Sequence, residues 1–239
     1  MAANYSNKIF GFLLGLIAIA LVVVILVPIP REIQHTSHSY QPDLVNSDNP
    51  ILVSFIGDST CVGAGDNLTV YKRWPNLVSK KLNWFSINAC VGGTGYLSSG
   101  FDGKSNYVQV FERLSLKLKT PNIIIIEGGQ NDFAENTGVE ISTAACDLYA
   151  KIRKNFPKVD LIVMTPFYGL TEAPPFVSEA ENAINKCTTK YKARVISGVR
   201  KWLQDHPELL IADKTHPNGK GHALIAKNFV AWFKANPSK

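Results

Sequence analysis

The run Asn122-Ile-Ile-Ile-Ile-Glu127, stopped by Gly128-Gly129, constrains the fold more than any other stretch of the chain. Four consecutive isoleucines offer no polar face to solvent, whichever way successive side chains alternate. The run is too short for a buried helix and β-branched throughout. It suits a strand covered on both faces, the environment of a parallel sheet. Ile51–Ile56 ending at Gly57, Trp84–Ala89 followed by Gly92-Gly93, and Asp160–Thr165 stopped by Pro166 read the same way. Amphipathic stretches at Trp74–Leu82, Val139–Phe156, Phe176–Lys190 and Gly219–Ala235 read as helices. Near Arg194–Ser197 a short fifth strand and a helix are equally arguable. The alternation predicts a three-layer α/β/α sandwich around a mostly parallel sheet.

Only 18% of the 239 residues are charged, below the roughly 25% of ordinary soluble domains. The dilution comes from residues 9–30, IFGFLLGLIAIALVVVILVPIP, with no charge between Lys8 and Arg31. As a helix, Ile9–Ile29 would span about 31 Å, against a hydrocarbon core of about 30 Å. One N-terminal transmembrane helix is therefore expected within residues 1–30, as an uncleaved signal anchor. A cleaved signal peptide is the rival, since Ala18-Ile19-Ala20 has the form of a cleavage site. Cutting there, however, would leave Leu-Val-Val-Val-Ile-Leu-Val at the new terminus. Lys8 and the amino terminus precede the span, so the positive-inside tendency puts the C-terminal body outside the cytoplasm, or secretes it if the segment is removed. Residues 31–50 are polar with two prolines and read as a linker. Residues 51–239 form the domain. Net charge is +6, spread along the chain, and no basic run is interleaved with aromatics. That excludes a nucleic-acid groove and suits proximity to anionic lipid or wall polymers.

In open parallel sheets, ligands bind beyond the carboxyl ends of the strands. The expected ends carry Gly57-Asp58-Ser59, then Asn88 to Gly93, then Gly129-Gln130-Asn131-Asp132; Asp213-Lys214-Thr215-His216-Pro217 lies near the C-terminus. Each alone is a common turn or cap composition; four in this order are not. The chain resembles the SGNH, or GDSL-like, hydrolase family over about residues 51–235. The blocks that carry the resemblance are Gly57-Asp58-Ser59 with Gly63, Gly93, Gly129-Gln130-Asn131-Asp132, and Asp213 to Pro217. It implies an esterase, lipase or acylhydrolase with a flavodoxin-like sheet and a serine nucleophile. Gly92 and Gly93 compete for the second block; counting five residues from Asn88, as in similar sequences, selects Gly93.

The chemistry of the residues fits those roles. A serine hydroxyl needs an adjacent base to attack at neutral pH, and histidine accepts and returns a proton in that range. Ser59, His216 and Asp213 are the candidate catalytic triad. Asp213 lies three residues before His216, so a tight turn would let it hold the second ring nitrogen. The backbone N–H groups of Ser59 and Gly93 and the Asn131 amide are the candidate oxyanion hole, and Asp58 is read as holding its loop. The other histidines match no block: His35 and His38 fall in the linker, His206 in a turn, His222 in the last helix. Neither metal-ligand spacing nor a phosphate-binding glycine pattern occurs, so no metal and no cofactor are expected.

An external domain with four cysteines allows three pairings. Cys61 with Cys90, at neighbouring strand ends, and Cys146 with Cys187, on helices around the fourth strand, are the expected bridges. Four buried free thiols are the alternative. Tyr96–Arg113, with Phe101, Tyr107 and Phe111, either lines the acyl site or packs the core. The expected function is cleavage of a carboxylic ester, whether lipid, acetylated glycan or small acyl ester, with the membrane contacted through residues 9–29. The alternative is a non-catalytic, membrane-tethered module that binds an acylated ligand or wall polymer.

Overall fold

The computed structural model describes residues 51–64, 68–100, 103, 105–116, 120–133, 135–168 and 175–237. The expected anchor at 9–29 and the linker at 31–50 lie outside the described residues. Among the described residues, no helix is long and apolar enough to cross a membrane.

Five strands, β1 (Leu52–Ile56), β2 (Phe85–Asn88), β3 (Ile123–Glu127), β4 (Asp160–Met164) and β5 (Arg194–Ile196), form one sheet in the order β2-β1-β3-β4-β5. Every neighbouring pair is parallel. The helices are α1 (Ser59–Val62), α2 (Trp74–Leu82), α3 (Tyr107–Ser115), α4 (Gly138–Asn155), α5 (Pro175–Asn185) and α6 (Gly219–Ala235). The isoleucines of β3 divide between two cores. Ile123 and Ile125 pack with Trp74 and Val78 of α2 and Ile225 and Phe229 of α6. Ile124 and Ile126 pack with Phe111 of α3, Leu148 of α4 and Ile184 of α5. The apolar run is thus spent on both faces of a central strand, which is why it needs no alternation.

Residues 194–196 resolve as strand. They pair with Ile162–Met164, and Arg194 forms an ion pair with Asp160 while its guanidinium lies 4.8 Å from the Trp232 ring. Helix α5 stops at Asn185, short of the expected Lys190. There the Thr188 hydroxyl donates to the Asn185 carbonyl at 2.7 Å, ending the ladder in turns. Helix α3 is an addition to the sequence reading, started by a capping box between Asn106 and Gln109.

The last helix is tied to the second by one buried histidine. His222 is fully buried, and its Nδ1 accepts the Trp74 N–H at 3.3 Å. Burial, reinforced by the charge of Arg73, lowers its pKa to about 3, so it stays neutral as its unfolded counterpart protonates below about 6.5. The unfolded chain then binds the extra proton, and stability falls as pH falls through that window. A His222→Asn variant is less stable at pH 7, and its deficit against wild type shrinks by about 2 kcal/mol at pH 5. Urea titrations at the two pH values check this; an unchanged deficit would refute it.

Candidate active site

β1 hands the chain to Gly57, where a side chain does not fit: a Cβ would lie 2.7 Å from Glu127 Oε2 and 2.9 Å from Cys61 Cβ. Asp58 follows as the N-cap of α1, its Oδ1 accepting the Thr60 N–H at 2.9 Å. Ser59 therefore opens α1 at the carboxyl edge of the sheet, between the strands where the order reverses. Its own N–H, at the first helical position, has no intrahelical acceptor.

Asp213 and His216 arrive on a loop closed at its neck by an antiparallel bridge between Leu210 and Pro217. Within it the Ile211 N–H donates to the His216 carbonyl at 2.9 Å, and the Lys214 N–H to the Ile211 carbonyl at 3.0 Å. Asp213 Oδ1 accepts the N–H groups of Thr215 and His216 at 2.8 and 2.9 Å. Its Oδ2 lies 2.6 Å from His216 Nδ1, and His216 Nε2 lies 2.8 Å from Ser59 Oγ. Partial burial opposes ionisation of Asp213, but the hydrogen bonds from the His216 ring and the two backbone N–H groups outweigh it. They hold its carboxyl below the usual aspartate range. Asn218 anchors the far side of the loop: its Oδ1 caps α6, and its Nδ2 donates to the carbonyls of Glu208 and Leu210.

The loop after β2 is bound to both neighbouring turns. The Val91 N–H donates to the Gly57 carbonyl at 2.9 Å, and the Thr94 hydroxyl lies 2.7 Å from the Val91 carbonyl and 3.2 Å from the Gly57 carbonyl. Gly93 takes φ 75°, a left-handed conformation that favours glycine. Asn131 Nδ2 donates to the Thr94 carbonyl at 2.8 Å, and the Ser98 hydroxyl to the Asn131 carbonyl at 2.6 Å. Asp132, fully buried, accepts three backbone N–H groups: Tyr96 on Oδ2 at 2.7 Å, Leu97 and Ser98 on Oδ1 at 3.0 and 2.8 Å. A disulfide joins Cys61 of α1 to Cys90 of this loop, with Cα atoms 5.8 Å apart. Cys146 and Cys187 are joined on the opposite face, with Cα atoms 5.4 Å apart.

The structure thus joins Ser59, His216 and Asp213 in one hydrogen-bonded chain and binds the Gly93 loop to Asn131 through Thr94. Tyr96, Tyr107 and Phe111 are buried in the core around α3 and α4, so they pack rather than line an acyl site; Phe101 lies outside the described residues. The sequence reading missed the loop-holding work of Asp132 and Asn218. The second was detectable, being an N-cap residue directly before the helix of Gly219. Among the described residues no group of three His, Cys, Asp or Glu side chains is placed to hold a metal ion. In an Asp132→Asn variant the amide nitrogen must replace one accepting oxygen and confront an N–H group. A loss of about 2 kcal/mol or more in unfolding free energy is expected, read by chemical denaturation; wild-type stability would show that the carboxylate does not hold the loop.

Residues 55–224 match the model of the GDSL-like Lipase/Acylhydrolase family. GDSL lipase Rv0518 of Mycobacterium tuberculosis (strain ATCC 25618 / H37Rv) is 24% identical over 188 residues, covering 74% of this chain and 78% of that protein. Among solved structures, the psychrotrophic esterase EstA from Pseudoalteromonas sp. superposes with a TM-score of 0.60 at 18% identity, over 77% of this chain and 97% of that one. A carbohydrate esterase family 2 enzyme of Corynascus thermopiles (Myceliophthora fergusii) does so with 0.61 at 18% identity, over 80% and 68%. These distant structures share the fold, and the family match spans most of the domain that carries the Ser59, His216 and Asp213 chain. The protein belongs to the GDSL-like lipase/acylhydrolase family.

Proposed function

We propose that the protein is a serine esterase that cleaves carboxylic esters through an acyl-enzyme on Ser59. The observation that carries this reading is the continuous path from Ser59 Oγ to His216 Nε2 and from His216 Nδ1 to Asp213 Oδ2, at 2.8 and 2.6 Å. His216 Nε2 takes the hydroxyl proton as Oγ bonds the ester carbonyl carbon. The same nitrogen returns that proton to the alcohol oxygen as the C–O bond breaks. Water then enters, gives a proton to His216, and its oxygen bonds the acyl carbon; Ser59 leaves with the proton and the carboxylic acid is released. Asp213 holds the ring with Nε2 towards Ser59 and stabilises the imidazolium formed in each half.

Negative charge develops on the carbonyl oxygen in both steps. The Ser59 and Gly93 N–H groups and Asn131 Nδ2 are assigned to receive it. Asn131 uses one Nδ2 hydrogen on the Thr94 carbonyl, which fixes the amide plane and leaves the second for the oxyanion. Residues 9–29 are assigned to a membrane anchor that holds the domain outside the cytoplasm. That position suits an ester in lipid, an acetylated glycan or a small soluble ester.

A fluorophosphonate probe is expected to label the wild-type protein and not Ser59→Ala. No labelling of folded wild type, with no turnover of p-nitrophenyl acetate, would leave a non-catalytic binding module as the better reading. Asn131→Ala is expected to lose roughly a hundredfold or more in kcat while keeping its fold. Unchanged kcat would remove Asn131 from the oxyanion hole. Turnover of acetyl, butyryl and longer p-nitrophenyl esters reads the acyl preference directly.

A further inference from the structure

Beneath the proposed nucleophile lie two carboxyl groups that the mechanism above does not use. Asp58 is fully buried, and Glu127, the last residue of β3, is 1% exposed. Asp58 Oδ1 is held by the Thr60 N–H, but Oδ2 has no partner. The Asp58 amide approaches the Glu127 carboxyl, yet neither Glu127 oxygen is held by a hydrogen bond of normal geometry.

Each carboxyl lies against the glycine that adjoins the other. A methyl on Gly57 would meet Glu127 Oε2 at 2.7 Å, and one on Gly128 would meet Asp58 Oδ2 at 2.5 Å. The Tyr107 hydroxyl donates to the Glu127 carbonyl at 2.8 Å and accepts the Gly129 N–H at 3.2 Å. The ionisable groups facing the pair are Tyr107 from α3, Tyr96 from the loop after β2, Asp132 from the turn after β3, and His216 across the site. Burial keeps both tyrosines neutral by raising them well above the ordinary range, and Asp132 already receives three N–H groups. Among the described residues, no lysine or arginine forms an ion pair with Asp58 or Glu127. Two buried carboxylates within electrostatic reach of each other and without a cation are strongly unfavourable; one retained proton removes the repulsion and can bridge them. Burial raises both carboxyls, and the Asp58 charge adds to the rise at Glu127.

We propose that Glu127 is a positioning residue whose carboxyl keeps its proton and donates it as a hydrogen bond to Asp58 Oδ2, tying the turn of Ser59 to the strand end that leads to Asn131. Through this bridge the proposed nucleophile and the proposed oxyanion donor keep a fixed separation. Loss of the proton at high pH leaves two charges within reach of each other and drives the two turns apart. The catalytic consequence rests on the esterase reading; the retained proton does not.

The test compares wild type with Glu127→Gln, which keeps a donor and cannot ionise, and Glu127→Leu, which keeps volume and loses the donor. On p-nitrophenyl acetate, Glu127→Gln is expected within about threefold of wild-type kcat at neutral pH. Glu127→Leu is expected to lose at least tenfold in kcat with KM changed less than threefold. Wild-type kcat falls on the alkaline side, and that limb is absent in Glu127→Gln. The folded wild type keeps a proton that the unfolded chain gives up, so its Tm falls as pH rises above the usual glutamate range. The Gln variant is flatter over the same window. A difference infrared spectrum, wild type minus Glu127→Gln at pH 8, is expected to show the C=O band of a protonated carboxyl. Absence of that band, or identical alkaline limbs and Tm profiles in wild type and Glu127→Gln, overturns the proposal, even if Glu127→Leu fails to fold. An inactive wild type that still shows the band would overturn the esterase reading and leave the bridge standing.

Discussion

A single buried carboxylate organises the carboxyl edge of the sheet. Asp132 would be costly inside the protein as an uncompensated charge. It becomes affordable by accepting the N–H groups of residues 96, 97 and 98, charge-assisted bonds stronger than those between neutral groups. The segment after β2 is thereby drawn down onto the turn after β3. Two further links complete the circuit, from Asn131 to the Thr94 carbonyl and from the Val91 N–H to the Gly57 carbonyl. Three loops belonging to three strands become one hydrogen-bonded unit, and α3 starts directly from it, the Tyr107 N–H donating to the Gly95 carbonyl at 2.9 Å.

The fourth piece is self-contained. Asp213 and His216 are fixed relative to each other by bonds inside their own loop, so they meet Ser59 as a preassembled pair. Its placement depends on α6, capped by Asn218, and on the packing of α6 against α2. This division explains how a residue 157 positions away can come within hydrogen-bonding distance of Ser59 without a long chain of supporting contacts. The two helices settle the direction of approach, and the loop settles the geometry at its tip.

What could be read in the sequence was what is local. The isoleucine run disclosed the central strand, and parallel pairing followed from its lack of a polar face. Asp213 and His216 were legible because their interaction is three residues long. Asp132 was not, since its partners lie about 35 positions upstream and its sequence context is equally that of a helix cap. The burial of Glu127 has no local sign, because the groups that cover it come from other strands and helices. Residues 107–115 were missed as a helix for another reason: their aromatic side chains suited contact with a substrate and core packing equally, and the structure shows the second, with Tyr107 and Phe111 in the core beneath α4. The family resemblance ordered the blocks, but the network joining them is tertiary and has no signature of its own.

The two disulfides differ in one respect that matters for their chemistry. Cys61 and Cys90 are both essentially inaccessible, while Cys146 and Cys187 are partly exposed. Thiol–disulfide exchange requires a thiolate to reach a sulfur along the S–S axis. The bridge beside Ser59 can therefore be attacked only after the local structure opens, so the opening free energy of that region lengthens its lifetime in any given reductant. The outer bridge has no such guard. A graded reducing environment would sort the two by access, cutting the peripheral link while the one beneath the hydroxyl of Ser59 persists.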